Sequence, residues 1–500
     1  MLTLNQNTNA FGFTHKSGIL LPVSSLPNLY GIGSFGSSAY EFIDFLDKCG
    51  QTCWQVLPLN PTSYGDSPYQ SPASVAGNPY FIDLDILGDK GLLTRGELAR
   101  ERCTCGRIDY GKLFAERYGV LRLAYARFVP NEAYAAFVEE NAAWLDDYAL
   151  FMALKEHYHY IPWTSWAPCH RDIASARTLA ADFSAECGFW RWVQYEFMAE
   201  WEALHMYARS RGIRIIGDMP IYVAHDSMDV WRATDLFLLD EAYNCTVVAG
   251  CPPDGFTEDG QRWGNPIYNW DKMEQEHFDW WIDRVGRAFA LYDFLRIDHF
   301  RGFAGYYAIP ASCSTAREGT WETAPGRKLF DSIKRAYPDG KIIAEDLGYI
   351  TDDVRELLAH TGFPGMKNLQ FAFFSDDSEF LPRCYTTDNC IVYISSHDSD
   401  CTRSWLESFG HDTRQRFRKE CKRRGGQTPT SALIDFGMAS RANLCMACMQ
   451  DYLELTNEEG RINVPARPDG NWNWRLAPDY RTERLRRKIR AHTERAGRQK

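Results

Sequence analysis

Apolar positions in this chain follow two rhythms. Short unbroken runs rich in β-branched residues occupy 213–217, 294–297, 342–344 and 391–397, while longer segments repeat apolar side chains every three or four positions. Unbroken runs such as 213–217 and 342–344 fit strands that are covered on both faces. Further strand candidates are 18–23, 53–59, 366–373 and 444–449, and a helical stretch at 38–49 separates the first two of these. Eight strands alternating with helices predict an α/β fold, a (β/α)8 TIM barrel, filling one domain over residues 1–500. Two segments exceed a barrel connection. Residues 85–211 are mostly helical, with Phe114, Tyr118, Leu121 and Tyr125 at helical spacing, and again Trp192, Tyr195, Met198 and Ala199, so they predict a helical insertion subdomain. Residues 240–275 contain a Gly- and Pro-rich stretch with Phe256 and Trp263 and read as an irregular loop.

Four of the strand candidates run into an acid: Asp218, Asp298, Glu345 and Asp398. The carboxyl ends of barrel strands form one face, so these acids converge on a single cleft. A lone acid after a strand is ordinarily a loop residue or helix cap, but four in series call for more. Carboxylates gathered without a metal-binding cluster suit acid/base and covalent chemistry on a glycosidic bond. Arg296 and Asp298 are two apart and leave the same strand face, so the guanidinium is expected to hold the carboxylate ionised, as a nucleophile requires. A buried structural ion pair accounts for that spacing equally well. Glu345, partly desolvated, would carry a raised pKa and exchange protons with the leaving oxygen. Asp398, beside His397, could bind sugar hydroxyls as the ring flattens. The turn-rich segment 60–80 reads as a shaped loop, and the 240–275 loop, between the third and fourth strands, is expected on the side of the acids as a candidate active-site lid.

Composition changes this picture little. The chain is 45% hydrophobic and 14% aromatic, with 16 Trp and 26 Tyr whose faces suit sugar rings as well as cores. A net charge of −11 argues against nucleic acid as a partner. Basic clusters at 414–424 and 481–500 read as solvated helix faces. No apolar run is long enough for a membrane span, and the polar, Asn-rich start shows no secretory signal, so a cytoplasmic location is expected. Fifteen cysteines then read as reduced thiols, and both Cys103/Cys105 and Cys445/Cys448 as core residues rather than zinc ligands.

The segments Leu295-Arg-Ile-Asp-His-Phe-Arg-Gly, Ala344-Glu-Asp-Leu-Gly and Ser396-His-Asp resemble the signature regions of the α-amylase clan. Gly65-Asp-Ser-Pro-Tyr-Gln-Ser, Gly217-Asp-Met-Pro-Ile-Tyr-Val, Pro252-Pro-Asp-Gly-Phe, Trp263-Gly-Asn-Pro, Gln450-Asp and Asn471-Trp-Asn-Trp-Arg resemble, in order, segments of its amylomaltase or disproportionating-enzyme family, glycoside hydrolase family 77. The resemblance runs from about residue 18 to 476. It implies Asp298 as nucleophile, Glu345 as general acid/base and Asp398 as transition-state stabiliser. It implies substrate-binding roles for Tyr64, Asp66, Ser67, Tyr69, Asp218, Pro253, Asp254, Phe256, Trp263, Asn265, Arg296, His299, His397 and Asn471. Two segments depart from the family pattern. Ser395-Ser stands where the family usually has Gly-Thr, and Ala466-Arg467 replaces the Gly-Thr that usually follows Asn463-Val-Pro.

The expected activity is that of a 4-α-glucanotransferase, moving α-1,4-glucan segments between maltodextrin donors and a glucose or glucan 4-hydroxyl by a retaining double displacement. The alternative is an α-amylase-like hydrolase, with water as acceptor; a non-catalytic glucan-binding barrel or a zinc or redox protein fits the residues less well. No cofactor or metal is implied. Expected partners are maltooligosaccharides, starch- or glycogen-derived glucans and glucose, with no nucleic acid and no membrane; the oligomeric state stays open.

Overall fold

The computed structural model describes residues 12, 14–103, 105–253, 257–467 and 469–499, without the side chain of Tyr64. Twelve strands are present among the described residues: β1 Lys16–Leu20, β2 Cys53–Gln55, β3 Arg214–Met219, β4 Val247–Cys251, β5 Gln261–Pro266, β6 Phe294–Ile297, β7 Gly305–Pro310, β8 Thr320–Thr323, β9 Ile342–Ala344, β10 Gly365–Asn368, β11 Cys390–Tyr393 and β12 Leu444–Cys448. Eight of them close a parallel barrel in the order β1-β12-β11-β10-β9-β6-β3-β2. All eight lie at the strand candidates read from the sequence. The candidate at 366–373 is cut short, because after Asn368 the backbone turns into a 3₁₀ segment, Leu369–Phe371, whose start the Asn368 side chain caps.

Alternation along each strand separates two cores. Outward-facing Leu295, Ile297, Val392 and Ala447 pack under the surrounding helices. Inward-facing Cys53, Ile216, Phe294, Ile343, Met366, Ile391 and Leu444 meet inside the barrel and plug it. Gly18 on β1 is part of that plug by its smallness. A Cβ there would lie 2.6 Å from the Cys53 Cβ and 2.7 Å from the Met446 sulfur, so those side chains already occupy its space.

Between β2 and β3 the chain is largely helical, and its two longest helices, Glu132–His157 and Ser184–Ser210, pack on each other. Trp190, Trp192 and Trp201 are fully buried there, which explains the heavy aromatic content of this stretch. The stretch read as irregular differs from expectation. Residues 247–251 and 261–266 are antiparallel strands, which join β7 and β8 in a four-stranded sheet ordered β5-β4-β7-β8. Gly250 allows this pairing, since a Cβ at that position would fall 2.1 Å from the Gln261 carbonyl oxygen.

Two further expectations are corrected. Cys103 and Cys105 are joined in a disulfide near the surface, their Cα atoms 5.5 Å apart, rather than buried as thiols. Cys445 and Cys448 are buried on β12 as expected. The basic tail is not all solvated either. Beyond the helix Glu483–Ala496, Arg498 is fully buried and donates to the carbonyls of Lys16 (2.9 Å), Met438 (2.6 Å) and Ser440 (2.7 Å). Among the described residues no helix is long and apolar enough to cross a membrane.

Candidate active site

Above the apolar plug the barrel interior turns polar. Tyr393 donates to the Gln55 side chain at 2.9 Å, and one turn of the ladder further on β3 and β6 set Asp218 directly beside Arg296. The Arg296 guanidinium is buried and organises what lies above it. Its Nη1 is 2.6 Å from Asp218 Oδ1, and its Nη2 is 3.0 Å from Asp298 Oδ1 and 4.0 Å from Glu345 Oε2. Two oxygens of Asp298 and Glu345 are therefore no further apart than the sum of the last two distances. That limit admits the closer spacing of a retaining pair and excludes most of the roughly 6.5–9.5 Å range of an inverting one.

The third acid is held from the opposite wall. Asp398 receives a hydrogen bond from the Asn463 amide at 2.6 Å and lies 3.2 Å from His397 Nε2. Tyr69 links the two walls: its hydroxyl donates to Asp218 Oδ2 at 2.8 Å and lies 2.9 Å from His397 Nε2, while its ring stacks on the imidazole with centroids 5.5 Å apart. Glu345 is oriented by the backbone of the segment after β6, where His299 adopts left-handed φ of 47° and its N–H donates to Glu345 Oε2 at 2.6 Å. The Trp263 ring, on β5, meets the His299 ring edge-on at 4.8 Å.

Burial dominates the electrostatics. It raises Glu345 well above the ordinary carboxylate range, with Asp298 and Asp398 adding to the effect against Arg296. Asp298 is also raised, to about 6, because burial and the charges of Asp218 and Asp398 together outweigh Arg296. The expectation that Arg296 would lower this pKa is thus corrected: burial and the neighbouring carboxylates outweigh its one guanidinium, which is shared among three acids. Asp398 goes the other way. Burial pushes it up, but the His397 charge and hydrogen bonds from His397 and Asn463 bring it well below the usual range. His299 is lowered to about 3 by burial and by Arg301, and so is neutral. The proton affinities of three carboxylates in one cleft are therefore pushed apart, Glu345 and Asp298 upward and Asp398 downward, the pattern that acid/base work requires.

These groups open into a cleft of about 780 Å³. Ser67, Tyr69, Pro253, Trp263, Asn265, Asp298, His299, Glu345, Asp398 and Asn471 line it. Asp218, Arg296 and His397 are buried just behind this lining. Two of the lining residues have their polar groups engaged by the protein itself. Asn265 bonds the Val223 carbonyl and Gln70, and Asn471 pins the 464–467 loop through Val464 and the Arg467 carbonyl. Asp66 is outside the lining, half-buried and raised by burial and by Asp109. Asp254, Phe256 and the side chain of Tyr64 lie outside the described residues.

Sequence reading passed over several contributors. Asn463 fixes Asp398 from 65 positions away, and only its place in a quoted segment could have flagged it. Trp321 and Tyr349 stand at the rim, 40% and 70% exposed, with Arg301 buried between them: its guanidinium lies 3.7 Å over the Trp321 ring and donates to the Tyr349 carbonyl at 2.8 Å. Nothing in the local pattern marks these aromatics. Among the described residues no group of three His, Cys, Asp or Glu side chains is placed to hold a metal ion.

A family model described as 4-alpha-glucanotransferase matches residues 21–481. The 4-alpha-glucanotransferase of Clostridium butyricum is 46% identical over 479 residues, covering 93% of this chain and 97% of its own length. That of Thermus thermophilus is 44% identical over 498 residues, covering 95% and 98%. Among solved structures, an amylomaltase from Streptococcus agalactiae in complex with acarbose is 38% identical, with a TM-score of 0.94 over 97% of this chain and all of that one.

Proposed function

Because this chain belongs to glycoside hydrolase family 77, the 4-α-glucanotransferases, we propose that it carries out that transfer by a retaining double displacement centred on Asp298, Glu345 and Asp398. Asp298 attacks the anomeric carbon of a donor glucan while protonated Glu345 gives its proton to the departing 4-oxygen. The bond formed is the Asp298–sugar ester, and the bond broken is the α-1,4 linkage. Glu345, now ionised, takes the proton of an incoming glucose or glucan 4-hydroxyl, which displaces Asp298 and restores an α-linkage. Asp398 stays ionised throughout and accepts hydrogen bonds from ring hydroxyls as positive charge develops at the anomeric centre. Arg296 and Asp218 position the nucleophile, and Tyr69, backed by His397, offers its ring to the donor sugar.

The observation that carries this reading is the contact of one buried guanidinium, Arg296, with both Asp298 and Glu345, opposite an Asp398 held low. The rim aromatics Trp321 and Tyr349 support a chain-like substrate, and maltooligosaccharides and starch- or glycogen-derived glucans fit a cleft of this size. The 240–275 stretch, with Pro253 and Trp263 over the acids, serves in this reading as a lid that favours a sugar acceptor over water. A cytosolic setting belongs to the same reading, supported by the free and mostly buried cysteines, which far outnumber the bonded pair Cys103–Cys105.

Incubation with maltotriose tests it. A ladder of longer maltodextrins plus glucose, at constant total reducing ends, is the expected result. A steady rise in reducing ends without longer products would mean hydrolysis and would overturn the transfer assignment.

A further inference from the structure

A second cavity, of about 250 Å³, lies on the side of the barrel, where the helical insertion meets the helix Asp279–Leu291, and four arginines line it: Arg177, Arg232, Arg284 and Arg287. In a chain of net charge −11 such a cluster is unexpected, and its four guanidiniums outnumber the three carboxylates beside them, Asp147, Asp229 and Asp283. Arg177 and Arg232 share one carboxylate. Asp147 takes Arg177 through two hydrogen bonds, at 2.9 and 2.8 Å, and Arg232 Nε at 3.1 Å. Asp229, also in the lining, has both oxygens engaged by Ser74, at 2.7 Å from its N–H and 2.6 Å from its hydroxyl. Asp283 is exposed.

That leaves Arg284 and Arg287 without a hydrogen-bonded carboxylate, Asp283 acting on Arg287 only at longer range from one turn earlier on the same helix. Arg284 is 4% exposed; it spends its Nη groups on the carbonyls of Pro220 (2.7 Å) and Ile221 (3.1 Å), and its buried Nε has no hydrogen-bond partner among the described residues. Arg287 makes a ring contact, its guanidinium 4.9 Å from the Trp144 centroid, and no hydrogen bond or ion pair among the described residues. Burial lowers its pKa to about 10, with the neighbouring Arg232 adding to the effect and the Asp283 charge opposing it. A guanidinium left in that condition is costly unless something supplies oxygen acceptors.

We propose that this cavity is a binding site for a phosphate-class dianion, either free phosphate or the phosphate group of a small sugar ester, held by Arg287, Arg232 and Arg284. Planar guanidiniums match tetrahedral oxyanions through paired N–H donors, and the volume admits a ligand no larger than a monosaccharide ester. Arg284 also ties the site to the catalytic cleft, because the Pro220 and Ile221 carbonyls it holds belong to residues that line that cleft.

Calorimetric titration of the full chain with inorganic phosphate and, separately, with glucose 1-phosphate is the test, each against chloride at matched ionic strength. Saturable one-to-one binding, weakened at least tenfold in Arg287→Gln and again in Arg232→Gln, is expected; two variants are used so that misfolding of either one leaves a reading. The tighter of the two ligands names the source. A response that does not saturate, that chloride reproduces, or that both folded variants retain in full would overturn the site.

Discussion

Asp298 illustrates how one residue carries a conflict between chemistry and stability. Its carboxyl is raised to about 6 in the folded protein, chiefly by burial, so the folded state holds that proton more tightly than the unfolded chain does. The sign follows directly: stability is unaffected while both states are protonated, falls as pH rises from the ordinary carboxylate range through about 6, and stays reduced above that. Asp298→Asn removes the buried charge. The variant should lose ~10⁴-fold or more of kcat, yet be more stable than wild type at pH 8 by on the order of 1–3 kcal/mol, seen as a higher Tm. The gap should close toward pH 4. Retained activity, or a lower Tm at pH 8, would contradict this account. The same protonation sets the kinetics. In the proposed mechanism Asp298 is ionised to attack, so kcat/KM should fall below about pH 6, and Glu345 is protonated to assist departure, so an alkaline limb should follow its loss of a proton. A pH–rate profile flat from 5 to 9 would rule out this division of labour.

At the scale of elements, the loop that carries Asn463 shows what a family substitution costs. Ala466 sits at φ 63°, in the left-handed region, at the position where the resemblance led one to expect glycine. Ala466→Gly should therefore stabilise the fold by about 0.5–1 kcal/mol in chemical denaturation, with disproportionation little changed, since the loop stays pinned by Asn471. The other departure has been absorbed rather than left strained. Ser395 is buried and donates to both oxygens of Asp451, at 3.0 and 2.8 Å, beside Thr402 at 2.7 Å. The barrel strands were readable because residues buried on both faces must be continuously apolar. The β4–β5 pair was not, because Gly250, Pro252 and Pro253 carry the statistics of a loop while neighbouring strands supply the hydrogen bonds. β8 is exposed along its whole length and leaves no pattern to read. Within the site the acids announced themselves by ending strands, whereas the sharing of Arg296 among three of them and the grip of Asn463 on Asp398 arise only when distant segments meet.

For the molecule as a whole, the segment after the last helix is tied to the start of β1 at the foot of the barrel. Arg498 bridges the start of β1 and the approach to β12, neighbours in the closed sheet, through three backbone carbonyls. Arg498→Ala would leave those acceptors without their partner and should cost about 2–4 kcal/mol, seen as an earlier thermal transition with the catalytic residues unaltered. An unchanged transition would mean that the closure rests on strand pairing alone.

The apolar plug beneath the acids has a further consequence. With Ile216, Phe294, Ile343, Met366 and Ile391 packed across the barrel, nothing reaches the acids from below, and all traffic uses the upper mouth. In the proposed double displacement the severed half of the donor must therefore back out along the route by which the acceptor comes in. The two compete for one doorway, and the fate of the sugar left on Asp298 is decided by a queue: whichever molecule next occupies the vacated half of the cleft, chain, glucose or water, determines the product.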